Sequence, residues 1–84
     1  AEDLEMYILT FKPEQALPSS PHAARTKEFL TVLKGAVRVK TAENEADLYE
    51  GDFIQYHADV EHTIENIHDG ETEIYMIVRF QSQR

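Results

Sequence analysis

The feature that most constrains this chain is a period-two alternation that recurs along nearly its whole length, with helical periodicity almost absent. From Met6 to Lys12, Tyr7, Leu9 and Phe11 alternate against Met6, Ile8 and Thr10. From Glu28 to Lys34, Phe29, Thr31 and Leu33 oppose Leu30 and Val32. From Glu73 to Phe80, Ile74, Met76, Val78 and Phe80 oppose Tyr75, Ile77 and Arg79. Shorter runs fall at Val37 to Thr41, Asp47 to Tyr49, Phe53 to Tyr56 and His62 to Asn66. Successive side chains of a strand point to opposite faces, so each run predicts a β-strand.

The interruptions carry turn chemistry. Leu17 to Pro21 reads as a loop, because Pro18 and Pro21 flank two serines. Lys34-Gly35 reads as the turn of a hairpin joining the Glu28 strand to the Val37 strand, with Gly35 taking a backbone shape that a Cβ would penalise. Ala42 to Asp47, Glu50-Gly51-Asp52 and Ile67 to Glu71 read as further turns, and the polar tail Gln81 to Arg84 is expected to fray. Short strands at this spacing predict an all-β sandwich or barrel, a single domain over residues 1–84 with its core from Tyr7 to Phe80.

Size and charge narrow the function classes. A chain of 84 residues removes only about 60% of its unfolded surface from water, so it needs a compact barrel and is expected to use a partner to cover apolar faces. It contains no cysteine, which excludes disulfides and thiolate metal sites and agrees with a reducing cytoplasm. No apolar run is long enough to span a membrane as a helix. The start, Ala1-Glu2-Asp3-Leu4, has no signal-peptide character and no initiator Met, and reads as the interior of a longer protein. Eight Lys and Arg against sixteen Asp and Glu leave a net charge of −8, a poor match for phosphate backbones. Nucleophilic catalysis finds no support. Ser19 and Ser20 lie near His22 but without an orienting acid, and no Gly-rich phosphate loop occurs.

Four histidines remain: His22, His57, His62 and His68. The stretch Pro21-His22-Ala23-Ala24-Arg25-Thr26-Lys27-Glu28, with Gly35 after six intervening residues, resembles the first cupin motif. Gly51, then His62 after ten intervening residues, then Asn66 after three more, resembles the second. There are departures. The first motif's initial Gly falls on Ala16 and its second His on Ala24, while His57 and Asp59 stand at the Pro and Gly positions of the second. The resemblance runs from about Tyr7 to Phe80 and implies a cupin double-stranded β-helix, a jelly-roll barrel.

Cupins that do metal chemistry hold their ion with three histidines and a glutamate, and by position this chain supplies His22, Glu28 and His62. Two imidazoles and one carboxylate can hold a divalent ion with open positions. The alternative is a hydrogen-bonded polar cluster with no ion. His57 and His68 read as exposed turn residues, Arg38 and Arg79 as solvated, and Tyr49 and Tyr56 as packing residues with wet hydroxyls.

The segments Thr-Lys-Glu-Phe-Leu-Thr-Val-Leu-Lys-Gly, Gly-Asp-Phe-Ile-Gln-Tyr and Ala-Asp-Val-Glu-His look like the C-terminal sensory cupin of bacterial regulators with an XRE-type helix-turn-helix. That resemblance implies a cytoplasmic homodimer whose barrel binds a small-molecule effector, with DNA contacted only through a separate N-terminal domain. Strand phase places Leu30, Val32 and Ile64 beside His22, Glu28 and His62 on the pocket wall, with one alternate set of Glu73 to Phe80. Glu28 would suit an amino acid or amine. The rival reading is a stand-alone metal-dependent enzyme of dioxygenase, isomerase or decarboxylase type, favoured by the three retained ligands and disfavoured by Ala24. A third is a filled, ligandless barrel serving only to dimerise.

Overall fold

The computed structural model of the chain describes residues 2–81. Eight strands account for most of them: β1 Glu2–Phe11, β2 Ala16–Ser19, β3 Lys27–Lys34, β4 Ala36–Lys40, β5 Glu45–Tyr49, β6 Phe53–His57, β7 His62–Asn66 and β8 Thr72–Gln81. They form two four-stranded antiparallel sheets, ordered β1-β8-β3-β6 and β2-β7-β4-β5. Among the described residues there is no helix, and none long and apolar enough to cross a membrane.

The pairing is that of a long ribbon folded on itself. β4 meets β5 at its tip, then β3 meets β6, β2 meets β7 and β1 meets β8. Winding the ribbon adds two contacts, β3 with β8 and β4 with β7. This is the all-β architecture that the alternation predicts, in the jelly-roll form that the motif resemblance implies.

Gly35 is where the structure corrects the sequence reading. β3 and β4 lie in different sheets and do not form a hairpin. Gly35, with φ at +90°, is the corner at which the chain leaves one sheet for the other. A Cβ there would fall 2.2 Å from Thr72 Oγ1, so the corner admits only hydrogen at that position. The corner forms because Val32 and Val37 must both face the core on either side of it.

Leu17 to Pro21 is a second correction. Its first part belongs to β2, which pairs with β7 through Ala16, Leu17, Pro18 and Ser19. β2 is an edge strand, and an edge tolerates proline because its missing N–H is not needed by a second neighbour. β1 begins at Glu2 and β5 at Glu45, both earlier than the alternation marks, because β8 and β4 supply hydrogen-bond partners along their whole lengths. Gln81 is the last residue of β8, opposite Glu2, and the rest of the expected frayed tail, residues 82–84, lies outside the described residues.

The core sits between the sheets. Leu30, Val32, Val37, Val39, Leu48, Ile64, Ile74 and Met76 are buried there together with Phe11 and Tyr56. β3 shows the alternation plainly: Glu28, Leu30 and Val32 are buried, and the residues between them are not. Leu33 keeps the outward phase of Phe29 and Thr31 and is exposed, and a bulge between Val32 and Lys34 then shifts the register against β8.

Candidate ligand and metal site

Glu28 is the centre of the site. It lies on β3 with Tyr56 of β6 on one side and Val78 of β8 on the other. Its side chain is buried, and a buried carboxylate needs partners to offset lost hydration. Tyr56 donates its hydroxyl proton to Glu28 Oε1 at 2.5 Å. Burial first, and the Glu28 carboxylate second, hold that hydroxyl far above the ordinary tyrosine pKa.

The other oxygen faces two imidazoles. Glu28 Oε2 lies 3.3 Å from His22 Nε2 and 3.5 Å from His62 Nε2. His62 opens β7, and its ring is almost wholly buried beside those of Tyr56 and His22. Its Nδ1 lies 2.8 Å from the Val60 carbonyl, which can only accept, so Nδ1 carries the proton. In the neutral ring this leaves Nε2 with a bare lone pair aimed at the carboxylate, and Nε2 has no hydrogen-bond partner.

His22 comes from the loop between β2 and β3, held by backbone bonds. His22 N donates to Ala58 O, Ala58 N to Thr26 O, and Arg25 N to Asp59 Oδ2. Arg25 takes a left-handed φ of 68° within this tie. Ala24, at the motif's second histidine position, is exposed and offers no ligand.

Beside this cluster lies a cavity of about 450 Å³. His22, Glu28, Thr26 and Ile64 line it along with Tyr7 and Leu9 of β1, Leu17 of β2, and Met76, Val78 and Phe80 of β8. Glu5 stands at its edge, accepting a hydrogen bond from Tyr7, and that bond raises the Tyr7 pKa. The cavity is of the size that small-molecule sites occupy, so the barrel is not filled by its own side chains.

Of the six residues expected at the pocket, His22, Glu28 and Ile64 line the cavity, and His62 stands behind Glu28 within the cluster. Leu30 and Val32 do not. They share the inward face of β3 with Glu28 but lie further along it, packed with Val37, Val39, Leu48 and Ile74 in the closed core. The even-numbered set of β8 faces inward. His57 and His68 are exposed, Arg38 binds Asp47 on the outer surface, and Arg79 stacks over Phe29 there.

Tyr56 corrects the sequence reading most. Its hydroxyl is not wet but buried against Glu28. The signal was its phase, which it shares with Ile54, and the missing knowledge was the register that sets it opposite Glu28. The inward odd-numbered set of β1 and Leu17 were likewise not singled out.

The donors present fit a divalent ion. His22, Glu28 and His62 each offer one atom, all within 4.8 Å of one another. Metal–ligand bonds of about 2.1 Å place adjacent donors roughly 3–3.5 Å apart, the spacing Glu28 Oε2 keeps to both rings. An unpartnered, buried Nε2 facing a carboxylate also calls for a cation or proton between them.

Comparison with known proteins agrees with this architecture. A helix-turn-helix (HTH_3) family transcriptional regulator of Vibrio cholerae is 26% identical, with a TM-score of 0.88 over 94% of this chain. The chain spans 44% of that regulator's length. The Cupin_2 domain of an XRE-family transcriptional regulator from Enterobacter cloacae superposes with a TM-score of 0.87 at 18% identity, covering 94% of this chain and 83% of that one. The plu4264 protein of Photorhabdus luminescens gives 0.78 at 20% identity, covering 89% and 61%. The search of curated protein sequences gave no significant match. The Cupin_2 cupin-domain profile matches residues 7–78, and the chain therefore belongs to the cupin family.

Proposed function

We propose that the chain is a small-molecule-sensing cupin domain of a bacterial helix-turn-helix regulator, acting in the cytoplasm. The observation that carries the reading is one buried carboxylate, Glu28, at the wall of an otherwise largely apolar cavity. Such a cavity selects a ligand with an apolar body and one cationic or hydrogen-donating head. Amines and amino acids have that form. The head would meet Glu28 Oε2 beside His22, and Tyr56 would keep the carboxylate oriented. The body would lie along Leu9, Leu17, Ile64, Met76 and Val78. Similarity to the two regulators supports the placement in a longer protein, with DNA contacted through a helix-turn-helix outside this chain. Binding acts on such a regulator only through a difference in affinity between its two states.

Calorimetric titration with a panel of apolar amines and amino acids tests this. A member should bind the 84-residue chain and lose at least tenfold in affinity with Glu28→Gln. If no member binds, or if binding is indifferent to Glu28, the reading fails.

A second reading rests on the donor spacing of His22, Glu28 and His62. These three would hold a divalent ion with open positions, and such an ion would polarise an oxygen ligand in the manner of a metal-dependent cupin enzyme. His62 Nδ1 fixes its tautomer and Tyr56 fixes Glu28, so the protein's part is orientation. Elemental analysis decides: below about a tenth of an ion per chain, with no uptake of iron, nickel, manganese or zinc, the enzyme reading is lost.

A further inference from the structure

One row of residues crosses all four strands on the inner face of the β1-β8-β3-β6 sheet. Glu5 stands opposite Val78, Val78 opposite Glu28, and Glu28 opposite Tyr56. Residues directly opposite across a ladder share a face, so Glu5 and Glu28 look into the same cavity from either side of Val78, and all three line it. Each carboxylate is steadied by a tyrosine. Tyr56 donates to Oε1 of Glu28 and Tyr7 donates to Oε1 of Glu5, both at 2.5 Å, which leaves Oε2 of each to other partners. The bond to Glu5 first, and then the charges of Glu5 and Glu28, raise the Tyr7 pKa, so both carboxylates act on one hydroxyl of the cavity wall.

Spacing and charge together define what fits between them. Neighbouring strands lie about 4.8 Å apart, which sets the Glu5 and Glu28 backbones roughly 10 Å from each other with β8 between. An ammonium hydrogen-bonded at about 2.8 Å inside each carboxylate then leaves roughly 5–8 Å from nitrogen to nitrogen. Val78 lies under that gap, and Leu17 and Ile64 line the cavity from the facing sheet. The described residues that line the cavity include no lysine or arginine to neutralise either glutamate. A ligand with a cation at each end and methylenes between them answers both charges and covers the apolar floor. A ligand that also carries a carboxylate meets a like charge at either end.

We propose that the cavity takes a linear α,ω-diamine of about four to six methylenes, Glu28 holding one ammonium and Glu5 the other. This deepens the sensing function proposed above and rests on it: Glu28 supplies the first contact, and Glu5 supplies the choice of diamines over monoamines and amino acids.

Three matched probes test it by calorimetric titration of the 84-residue chain at pH 7, where their amines are charged. They are 1,5-diaminopentane, pentylamine, which lacks the second amine, and lysine, which adds a carboxylate to the diamine. The parent chain should bind the diamine at least about tenfold more tightly than either of the others. Glu5→Gln, at an exposed position on an edge strand, should keep the circular dichroism of the parent and cut the advantage over pentylamine to below about threefold. Glu73→Gln removes the same charge from the outer face of β8 and should leave the advantage intact. If pentylamine binds in a Glu28-dependent manner but the diamine binds no better, the two-point site is overturned while the sensing reading stands. An advantage that survives Glu5→Gln, or that Glu73→Gln removes equally, overturns it as well. If neither amine binds the parent chain, both readings fall.

Discussion

Two buried polar clusters stand in the fold, and their contrast separates what builds the barrel from what the barrel can bind. Asn66, at the end of β7, is saturated. Its Nδ2 donates to the carbonyls of Lys12 and Gly70, with Phe11 O at the limit of reach. Its Oδ1 accepts from His68 N and from Thr72 Oγ1. Both amide protons and both lone pairs are used. His62, at the other end of the same short strand, is not saturated, for its Nε2 lies 3.5 Å from Glu28 Oε2 without a hydrogen-bond partner. Both residues match the second cupin motif, yet one closes the fold and the other leaves a ring nitrogen without a partner. A saturated cluster is structure; an open one is a place for something else.

The contrast can be broken by substitution, and the largest effect is expected at the saturated cluster. Asn66→Ala strands several buried partners at once and should cost roughly 3 kcal/mol or more in a denaturant melt. A cost under about 1 kcal/mol would show that the saturation is ornamental. Gly35→Ala attacks the same cluster from outside, since the new methyl would displace Thr72 Oγ1 from Asn66 and from Ala36. It should cost about 3 kcal/mol, whereas Gly51→Ala should cost only the backbone strain of about 1–2 kcal/mol. Gly51 has nearly the same φ, +89°, but open space where the Cβ would stand, so equal melts for the two would sink the packing account.

Tyr56→Phe removes the one proton given to Glu28 Oε1, and should cost roughly 1–2 kcal/mol at neutral pH. Its pH signature sharpens the assignment. Because the folded chain holds the Tyr56 pKa above its ordinary value of 10.0, this contribution is complete below that pH and is lost as the pH climbs beyond it. The parent chain should therefore lose stability more steeply above about pH 10 than the Phe variant does. Parallel slopes would remove Tyr56 from the cluster.

The smallest effect on stability, and the most telling, belongs to Glu28→Gln. The new amide can still accept from Tyr56 and can donate to the bare Nε2 of His62. Stability should hold or rise by up to about 1 kcal/mol while ligand or metal binding falls. A large destabilisation would mean that the carboxylate is part of the frame after all.

Period-two alternation was enough to read the fold class and most of the strands, because a jelly roll with one buried face per sheet writes its packing directly into the sequence. His22, Glu28 and His62 were legible as a set from motif spacing, and they converge. What could not be read was long-range: Gly35 has the same local signature whether it closes a hairpin or turns a corner between sheets. The Pro-Ser run hid β2 because edge pairing depends on β7, some forty residues away. Tyr56 needed the register of β3 against β6, and Leu30 and Val32 needed the depth at which the cavity ends. Phase tells a face; it does not tell how far along that face the space remains open.

The wall made by β1 and β8 is one backbone thick. Met76 and Val78 look into the cavity, while Tyr75, Ile77 and Arg79 look out. Cavity and outer surface are thus written on alternate letters of one word, and a slip of one residue in β8 would exchange them. An occupant that shifts Met76 cannot leave Ile77 where it was. If copies meet on the outer side, the two events are thermodynamically reciprocal, and whatever tightens one by a given factor tightens the other by the same. The apparent potency of a ligand would then change with the concentration of the protein itself, which makes abundance part of the signal.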